Sequence, residues 1–373
     1  MSPMPSASRS LLTAAQAGAA AVVLARLGQG RTRRAPLNDD APAPERTISV
    51  VVPARDEAER IGPCLAGLVT DPDLLEVLVV DDGSTDGTAA IAEAAGAQVL
   101  EGVDPPPGWT GKAWALQQGI EAARGDLVLH VDADARPRPG LARAMAAAME
   151  DNQDDVLSAG PAFRCRTAAD LVVHPAFLAT LPYRYGVGDA VGRRPTPSRA
   201  VVNGQCVILP RTRFLAAGGY GRVRAHMTED LALARSLAGD GWAVGFVDGA
   251  ALLEVEMYES ARGTVEGWSR SIAGADVTPP LPLVADVATL WLTTALPVLR
   301  TAARRAKPLD RILLAIRVLL AAQLATRYRP RSPLPLLAPL ADPLVAARVT
   351  LAAVRPARTW RGRRYGARGR AGR

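Results

Sequence analysis

The chain has 373 residues, 49% hydrophobic and 4% aromatic, with a formal net charge of +7. Residues 355–373 carry eight arginines and no acid, so the basicity belongs to the tail, which suits a solvated end or anionic lipid and, with no recognition fold or aromatic platform beside it, speaks against nucleic acid. Cys64, Cys165 and Cys206 have no pair spacing and the three histidines (His130, His174, His226) are scattered, which argues against a disulfide scaffold or a zinc site and for a reducing compartment.

Residues 11–27 are an apolar run of 17, near the lower limit for a membrane-spanning helix. They predict an anchor, with a signal peptide or a surface helix as alternatives. Residues 28–46, rich in Gly, Pro, Arg and Asp, read as a linker. From 47 onward short β-branched runs alternate with Ala-rich stretches. TISVVVP, EVLVV, QVL and DLVLHV predict strands. AERIGPCLAGLV, TAAIAEAAG, KAWALQQGIEAARG and GLARAMAAAME predict helices. This is the rhythm of a mostly parallel sheet flanked by helices, an α/β fold. Further on, 201–210 and 242–247 predict strands and 228–241 a helix.

Three more apolar segments follow, 281–299, 312–326 and 334–354. Each is interrupted: Asp286 and Pro297 in the first, Arg317 in the second, Pro339, Asp342, Pro343 and Arg348 in the third. Three full spans with a cytosolic catalytic domain would put both the basic joint 300–311 and the tail outside, against the positive-inside tendency. Three clean spans are therefore not expected. The predicted organisation is an anchor and linker over 1–46, a catalytic domain over 47–275, membrane-associated helices over 276–354 and the Arg-rich tail over 355–373.

Acidic clusters recur in order: VVPARDEAER at 51–60, VVDDGSTDGT at 79–88, HVDADARP at 130–137 and HMTED at 226–230. Asp132 and Asp134, one residue apart after an apolar run, are a compact way to hold a divalent cation on a diphosphate, where it helps the leaving group. Oxygen ligands suit Mg²⁺ or Mn²⁺. Ligands of such sheets sit at the carboxyl ends of strands, where Asp81, Asp82, Asp132 and Asp134 are predicted to fall. A nucleotide-sugar transferase is the leading reading. The plain alternative for each pair is a solvated turn or a helix cap.

With these clusters, NGQCVILPRTRFLAAGGY (203–220) and TEDLALARSL (228–237), the region 47–275 resembles the inverting family 2 glycosyltransferases of GT-A fold. PPPGWTGKAWALQQG (105–119) and MYESARGTVEGWSRSIAGA (257–275) resemble the membrane-associated branch that includes 4,4'-diaponeurosporenoate glycosyltransferases; hopanoid-associated glycosyltransferases share the PPGWTGK-type segment. The resemblance implies that Asp132 and Asp134 hold Mn²⁺ or Mg²⁺, with Asp134 closest. Asp81 and Asp82 then contact base and ribose, with Pro53, Arg55 and Glu57 lining the same pocket. Asp230 is the expected general base, opposite the leaving diphosphate, with Glu229 as a neighbour that tunes it; otherwise both acids only complement a helix dipole. Lys112, one of two lysines beside 42 arginines, opens a helix where it could meet a phosphate. The spacing is not that of a P-loop. Trp268 and Arg270 stand where processive members carry Gln-x-x-Arg-Trp, and the resemblance implies that they serve the donor or acceptor site, Arg270 as a donor-binding residue. The mismatch with that pattern favours transfer of a single sugar.

The expected activity is metal-dependent transfer of one sugar from a nucleotide-diphosphate donor to a lipid-like, terpenoid or carotenoid-type acceptor. The expected place is the cell membrane, with the catalytic domain facing the cytoplasm. A polyprenyl phosphate or a cell-wall glycan is the rival acceptor. A nucleotidyltransferase and a non-catalytic membrane scaffold are rivals of other classes; PARDEAER after the first strand and the intact acids speak against them.

Overall fold

The computed structural model describes residues 6–256, 258, 260–355, 359–360 and 363–364. The β-branched runs form strands where the alternation predicts them. They are β1 (Ile48–Ala54), β2 (Leu74–Asp81), β3 (Gln98–Glu101), β4 (Leu127–Val131), β5 (Ala135–Pro137), β6 (Val156–Gly160), β7 (Ala162–Arg164), β8 (Cys206–Pro210), β9 (Val244–Asp248) and β10 (Leu253–Val255). Seven of them make one sheet in the order β3-β2-β1-β4-β8-β6-β9. β8 runs antiparallel to β4 and β6; the other pairs are parallel. β1 and β4 are almost wholly buried, as parallel strands covered on both faces must be. The fold is thus α/β, with a large, mostly parallel sheet.

One face packs Val50, Val52, Val79 and Leu129 against Met145 of the helix Leu141–Asp151. On the other side lies the helix Gly111–Ala122. A Cβ on its Gly119 would stand 2.4 Å from Val51 Cγ1, so this helix reaches the sheet only because glycine leaves room. The stretch 201–210 is a strand from Cys206 alone. Residues 201–205 run as a loop whose Asn203 amide donates to Ser158 Oγ at 2.6 Å. That is a correction to the predicted ten-residue strand.

The chain divides into two compact units. The sheet unit is built on Arg34–Phe163 and Gly192–Met257; the helical unit on Met1–Arg33, Arg164–Val191 and Tyr258–Ala357. Among the described residues of the helical unit, three segments are long and apolar enough to cross a membrane: Ser10–Arg31, Pro280–Ala302 and Leu334–Val354. The apolar stretch 312–326 lies in the helix Pro308–Ala325, outside those three. Pro280–Ala302 stays helical past Pro297 by widening to a π-turn at Trp291–Ala295.

The polar interruptions are satisfied inside the helical unit. Asp286 lies 3.6 Å from Arg26 and 3.7 Å from Arg184. Arg317 pairs with Asp342 at 2.9 Å, both buried. Gln16 donates to Asp310 at 2.7 Å, and Arg300 lies 3.3 Å from the same carboxylate. Arg348 donates to Ser269 Oγ at 3.0 Å. Large apolar side chains such as Leu281, Val284, Leu319, Leu340 and Val354 are exposed instead. An apolar exterior with ion pairs inside reverses the usual soluble pattern. The interruptions in the sequence are therefore compatible with spanning helices.

Candidate active site

Strands β2, β1 and β4 are neighbours and parallel, so their carboxyl ends lie side by side. The strand order reverses at β1, which makes the crevice there the expected ligand site of the sheet unit. Asp81 is the last residue of β2, in register with Ala54 of β1, and the Asp82 amide donates to Ala54 O at 2.9 Å. Asp81 and Asp82 are both buried. Asp81 accepts from the hydroxyl of Ser84. Arg55 donates to Asp82 O at 3.0 Å, with its Nη1 3.5 Å from the Asp82 carboxylate. Pro53 and Arg55 are half-buried and Glu57 is buried beside Arg60, at 2.7 Å.

Asp56 adopts a left-handed backbone, φ 52°, uncommon for a residue with a Cβ. It joins the loops after β1 and β2: its amide donates to Ser84 Oγ at 3.0 Å and its carboxylate accepts from the Thr85 amide at 2.9 Å. The cap of the next helix, Thr88–Ala94, is Gly87, whose φ is 87°. Asp86, just before that glycine, accepts from the Thr88 amide at 3.1 Å and from the Ala58 amide at 3.0 Å.

At the end of β4, Ala133 turns into the core while Asp132 and Asp134 on either side are half-buried. The Asp132 amide donates to Gln205 O at 3.0 Å, which ties the pair to the loop before β8. Burial pushes the Asp132 carboxyl up to about 6; Lys112 pulls against that shift and Asp134 adds to it. Two oxygen donors that repel each other in a half-dry cleft fit a hard divalent cation. Among the described residues no group of three or more His, Cys, Asp or Glu is placed to hold a metal. Sites of the Mg²⁺ type complete such a partial set with water and substrate phosphate oxygens.

Lys112, in the first turn of Gly111–Ala122, joins the two halves of the acidic cluster. Its Nζ lies 2.8 Å from each Asp132 oxygen, 3.1 Å from Glu229 Oε1 and 3.3 Å from Gly204 O. Burial opposes its charge, but Asp132, Glu229 and Asp230 outweigh that and hold its pKa well above the ordinary lysine value. Glu229 and Asp230 start the helix Glu229–Gly239; Thr228 is its N-cap residue, without a side-chain capping bond. Asp230 accepts from the Gly204 amide at 3.3 Å and the Leu231 amide at 2.7 Å. Burial, then the charge of Glu229, pushes it up to about 6, with Lys112 opposing.

Several predicted residues therefore meet in one place. Lys112 touches Asp132 and Glu229, and Asp230 stands beside them. Arg55, Glu57, Asp81 and Asp82 occupy the neighbouring strand ends. The Arg270 side chain and most of the Arg-rich tail lie outside the described residues. Three positioning residues carry no role in the sequence reading. Gly204 is one: a Cβ there would stand 2.8 Å from Asp230 Cβ. His130 shares a hydrogen bond with the Tyr220 hydroxyl at 3.0 Å, and burial keeps it neutral, with its pKa lowered to about 3. Gln117 accepts from the Tyr220 amide at 2.7 Å. A lone glycine inside a motif was the available signal for the first. Nothing local marks the other two. Trp114 is pinned by its indole N–H to Val103 O at 2.7 Å and meets Trp109 edge-on at 4.9 Å.

Residues 49–186 match the model of Glycosyl transferase family 2. The 4,4'-diaponeurosporenoate glycosyltransferases of Staphylococcus aureus strains MRSA252 and USA300 are 28% and 27% identical over 254 residues. Each match spans 66% of this chain and 66% of the relative's length. A mannosyltransferase from Pyrobaculum calidifontis, solved in complex with GDP-Man and Mn²⁺, superposes with a TM-score of 0.54 at 18% identity. That likeness covers 92% of this chain and 97% of the other, and it concerns the fold.

Proposed function

We propose that the chain acts as a family 2 glycosyltransferase, a reading supported by the match of residues 49–186 to that family's model and by its relatives, and that it moves one sugar, with inversion, from a nucleotide-diphosphate donor to a lipid-like acceptor at a membrane. The convergence of Asp132 and Glu229 on the Lys112 ammonium, with Asp230 beside them, carries this reading. Asp81 and Asp82 receive the base and ribose, in a pocket lined by Pro53, Arg55 and Glu57. Asp132 and Asp134 hold Mn²⁺ or Mg²⁺, which when bound neutralises charge on the leaving diphosphate. Where the acceptor presents a hydroxyl, Asp230 takes its proton as that oxygen attacks the anomeric carbon, with Glu229 keeping the Asp230 carboxyl poised. An acceptor carboxylate attacks the same carbon with no proton to give up. One displacement inverts the centre, so an α-linked donor yields a β-glycoside.

The acceptor is inferred from two supports. The relatives are named for an apolar terpenoid acid, and the helical unit exposes apolar side chains on segments long enough to span a bilayer. The same segments support a membrane location. Cys64 and Cys206, buried in the sheet unit and not joined in a disulfide, fit a catalytic unit on the cytoplasmic, reducing side.

The test is release of nucleotide diphosphate from a panel of UDP- and GDP-sugars, with total membrane lipid as acceptor and either Mn²⁺ or EDTA. One donor is expected to turn over with Mn²⁺ and stop with EDTA. Asp134→Ala is expected to raise the Mn²⁺ needed for half-maximal release by at least about tenfold, the lower end for losing even an indirect metal contact. A folded protein that turns over no donor would sink the catalytic reading. Polyprenyl phosphate or cell-wall glycan accepting the sugar in place of lipid would overturn the acceptor.

Gly204→Ala is expected to lower kcat by about 10–10², since a displacement on the order of 1 Å at a reacting group has that effect, while donor affinity stays within about twofold. Steady-state kinetics on the purified variant check it; an unchanged kcat would show that Asp230 tolerates the added methyl.

A further inference from the structure

We infer that Lys112 makes metal binding depend on the donor: its ammonium and the divalent cation compete for Asp132, and the donor diphosphate gives Lys112 another partner. The inference rests on Asp132 and Asp134 being the metal ligands of the proposed function.

Both Asp132 oxygens lie 2.8 Å from Lys112 Nζ. A cation that takes them must take them from Lys112. An ammonium has three donors, and here they face Asp132, Glu229 and Gly204 O. On losing Asp132, Lys112 keeps two partners and regains one free donor. A diphosphate arriving at the first turn of Gly111–Ala122 meets that donor and the positive end of the helix together.

The residue type supports the same reading. The chain carries 42 arginines and two lysines, yet a lysine stands here. A guanidinium would grip Asp132 with a rigid two-pronged fork, whereas an ammonium on a flexible stem passes readily between oxygens.

Mn²⁺ binding, read by electron paramagnetic resonance of the free ion, tests this. It is measured without nucleotide, with UDP and with GDP, on wild type, Lys112→Met, Lys112→Arg and Asp134→Ala, after circular dichroism confirms that each is folded. Wild type is expected to bind Mn²⁺ alone weakly and gain strongly from one nucleotide. Lys112→Met is expected to bind Mn²⁺ alone at least about tenfold tighter, because a competing positive charge has left, and to gain less from nucleotide. Lys112→Arg is expected to bind Mn²⁺ alone no better than wild type. A merely structural lysine predicts the opposite sign, weaker Mn²⁺ binding in Lys112→Met. Mn²⁺ affinity in Lys112→Met at or below wild type overturns the inference and leaves the metal site standing, provided Asp134→Ala still loses nucleotide-dependent binding. If Asp134→Ala binds Mn²⁺ as wild type does, the metal assignment itself fails and this inference with it.

Discussion

Asp230→Asn is expected to slow sugar transfer to a hydroxyl acceptor by about 10²–10⁴, the usual contribution of a positioned general base. The amide keeps the shape of the side chain, but its single oxygen can accept from only one of the Gly204 and Leu231 amides, which reach different carboxylate oxygens in the wild type. Donor affinity should hold because Arg55, Asp81 and Asp82 are untouched. The loss belongs in kcat, since the proton moves only in the transition state. An acceptor that reacts as a carboxylate brings no proton, and the same variant should spare its transfer. Parallel assays with both acceptor kinds check this; wild-type rates on a hydroxyl acceptor would remove Asp230 from the chemistry. The pH profile carries the same sign. Burial and Glu229 push Asp230 up to about 6, and only its ionised form accepts a proton. For the free enzyme kcat/KM should therefore fall as pH drops through about 6. With Mn²⁺ saturating, so that Asp132, itself pushed up to about 6, stays ionised, this limb should vanish in Asp230→Asn.

Arg317→Met is expected to lower the stability of the helical unit by about 3–5 kcal/mol, the range for removing one partner of a buried ion pair. Arg317 and Asp342 are 1% and 3% exposed and meet at 2.9 Å. Without the guanidinium, Asp342 is left among Ala176, Leu290, Val345 and Ala346, with Thr180 and Thr294 as the polar neighbours and no other charge among the described residues of the cavity lining. The double variant Arg317→Met with Asp342→Leu should recover most of the loss, because it leaves no uncompensated charge. Denaturation in detergent, followed by the tryptophans, checks both. A single variant as stable as wild type would mean that the pair contributes nothing to the unit.

The strands and their order of chemistry are readable from local pattern. Valine runs at 50–52 and 77–80 have few alternatives to a buried strand, and an Asp-Ala-Asp after such a run can only project acids from its end. Other features depend on partners remote in sequence. The loop 201–205 has the composition of a strand, but Gly204 is drawn out of extended pairing by its close fit to Asp230. Lys112 reads as a phosphate contact because its carboxylate partners lie 20 and 117 positions away. Asp286, Arg317 and Asp342 look like blemishes in apolar helices until Arg26, Arg184 and each other are in view. Hydropathy averages along the chain and cannot see such pairing. For the same reason 164–191 is not marked off from the sheet region around it, although it packs with the helices.

The hydrogen bond from Gln16 to Asp310 spans 294 residues. During synthesis the ribosome makes Gln16 first and then all the strands of the seven-stranded sheet, between Arg34 and Met257, before Asp310 emerges. At about 5–20 residues per second that interval is on the order of tens of seconds. The sheet unit has time to fold while the first helix still awaits its partners, so the earliest-made part of the helical unit is the last to be completed. Until then Gln16 and Arg26 have no Asp310 or Asp286 to bind, and a lipid surface is the natural place for so apolar a helix to wait. Cutting away residues 1–33 would therefore yield no tidy soluble enzyme. It would strand Asp286 and Asp310, each short of one partner, at the far end of the chain.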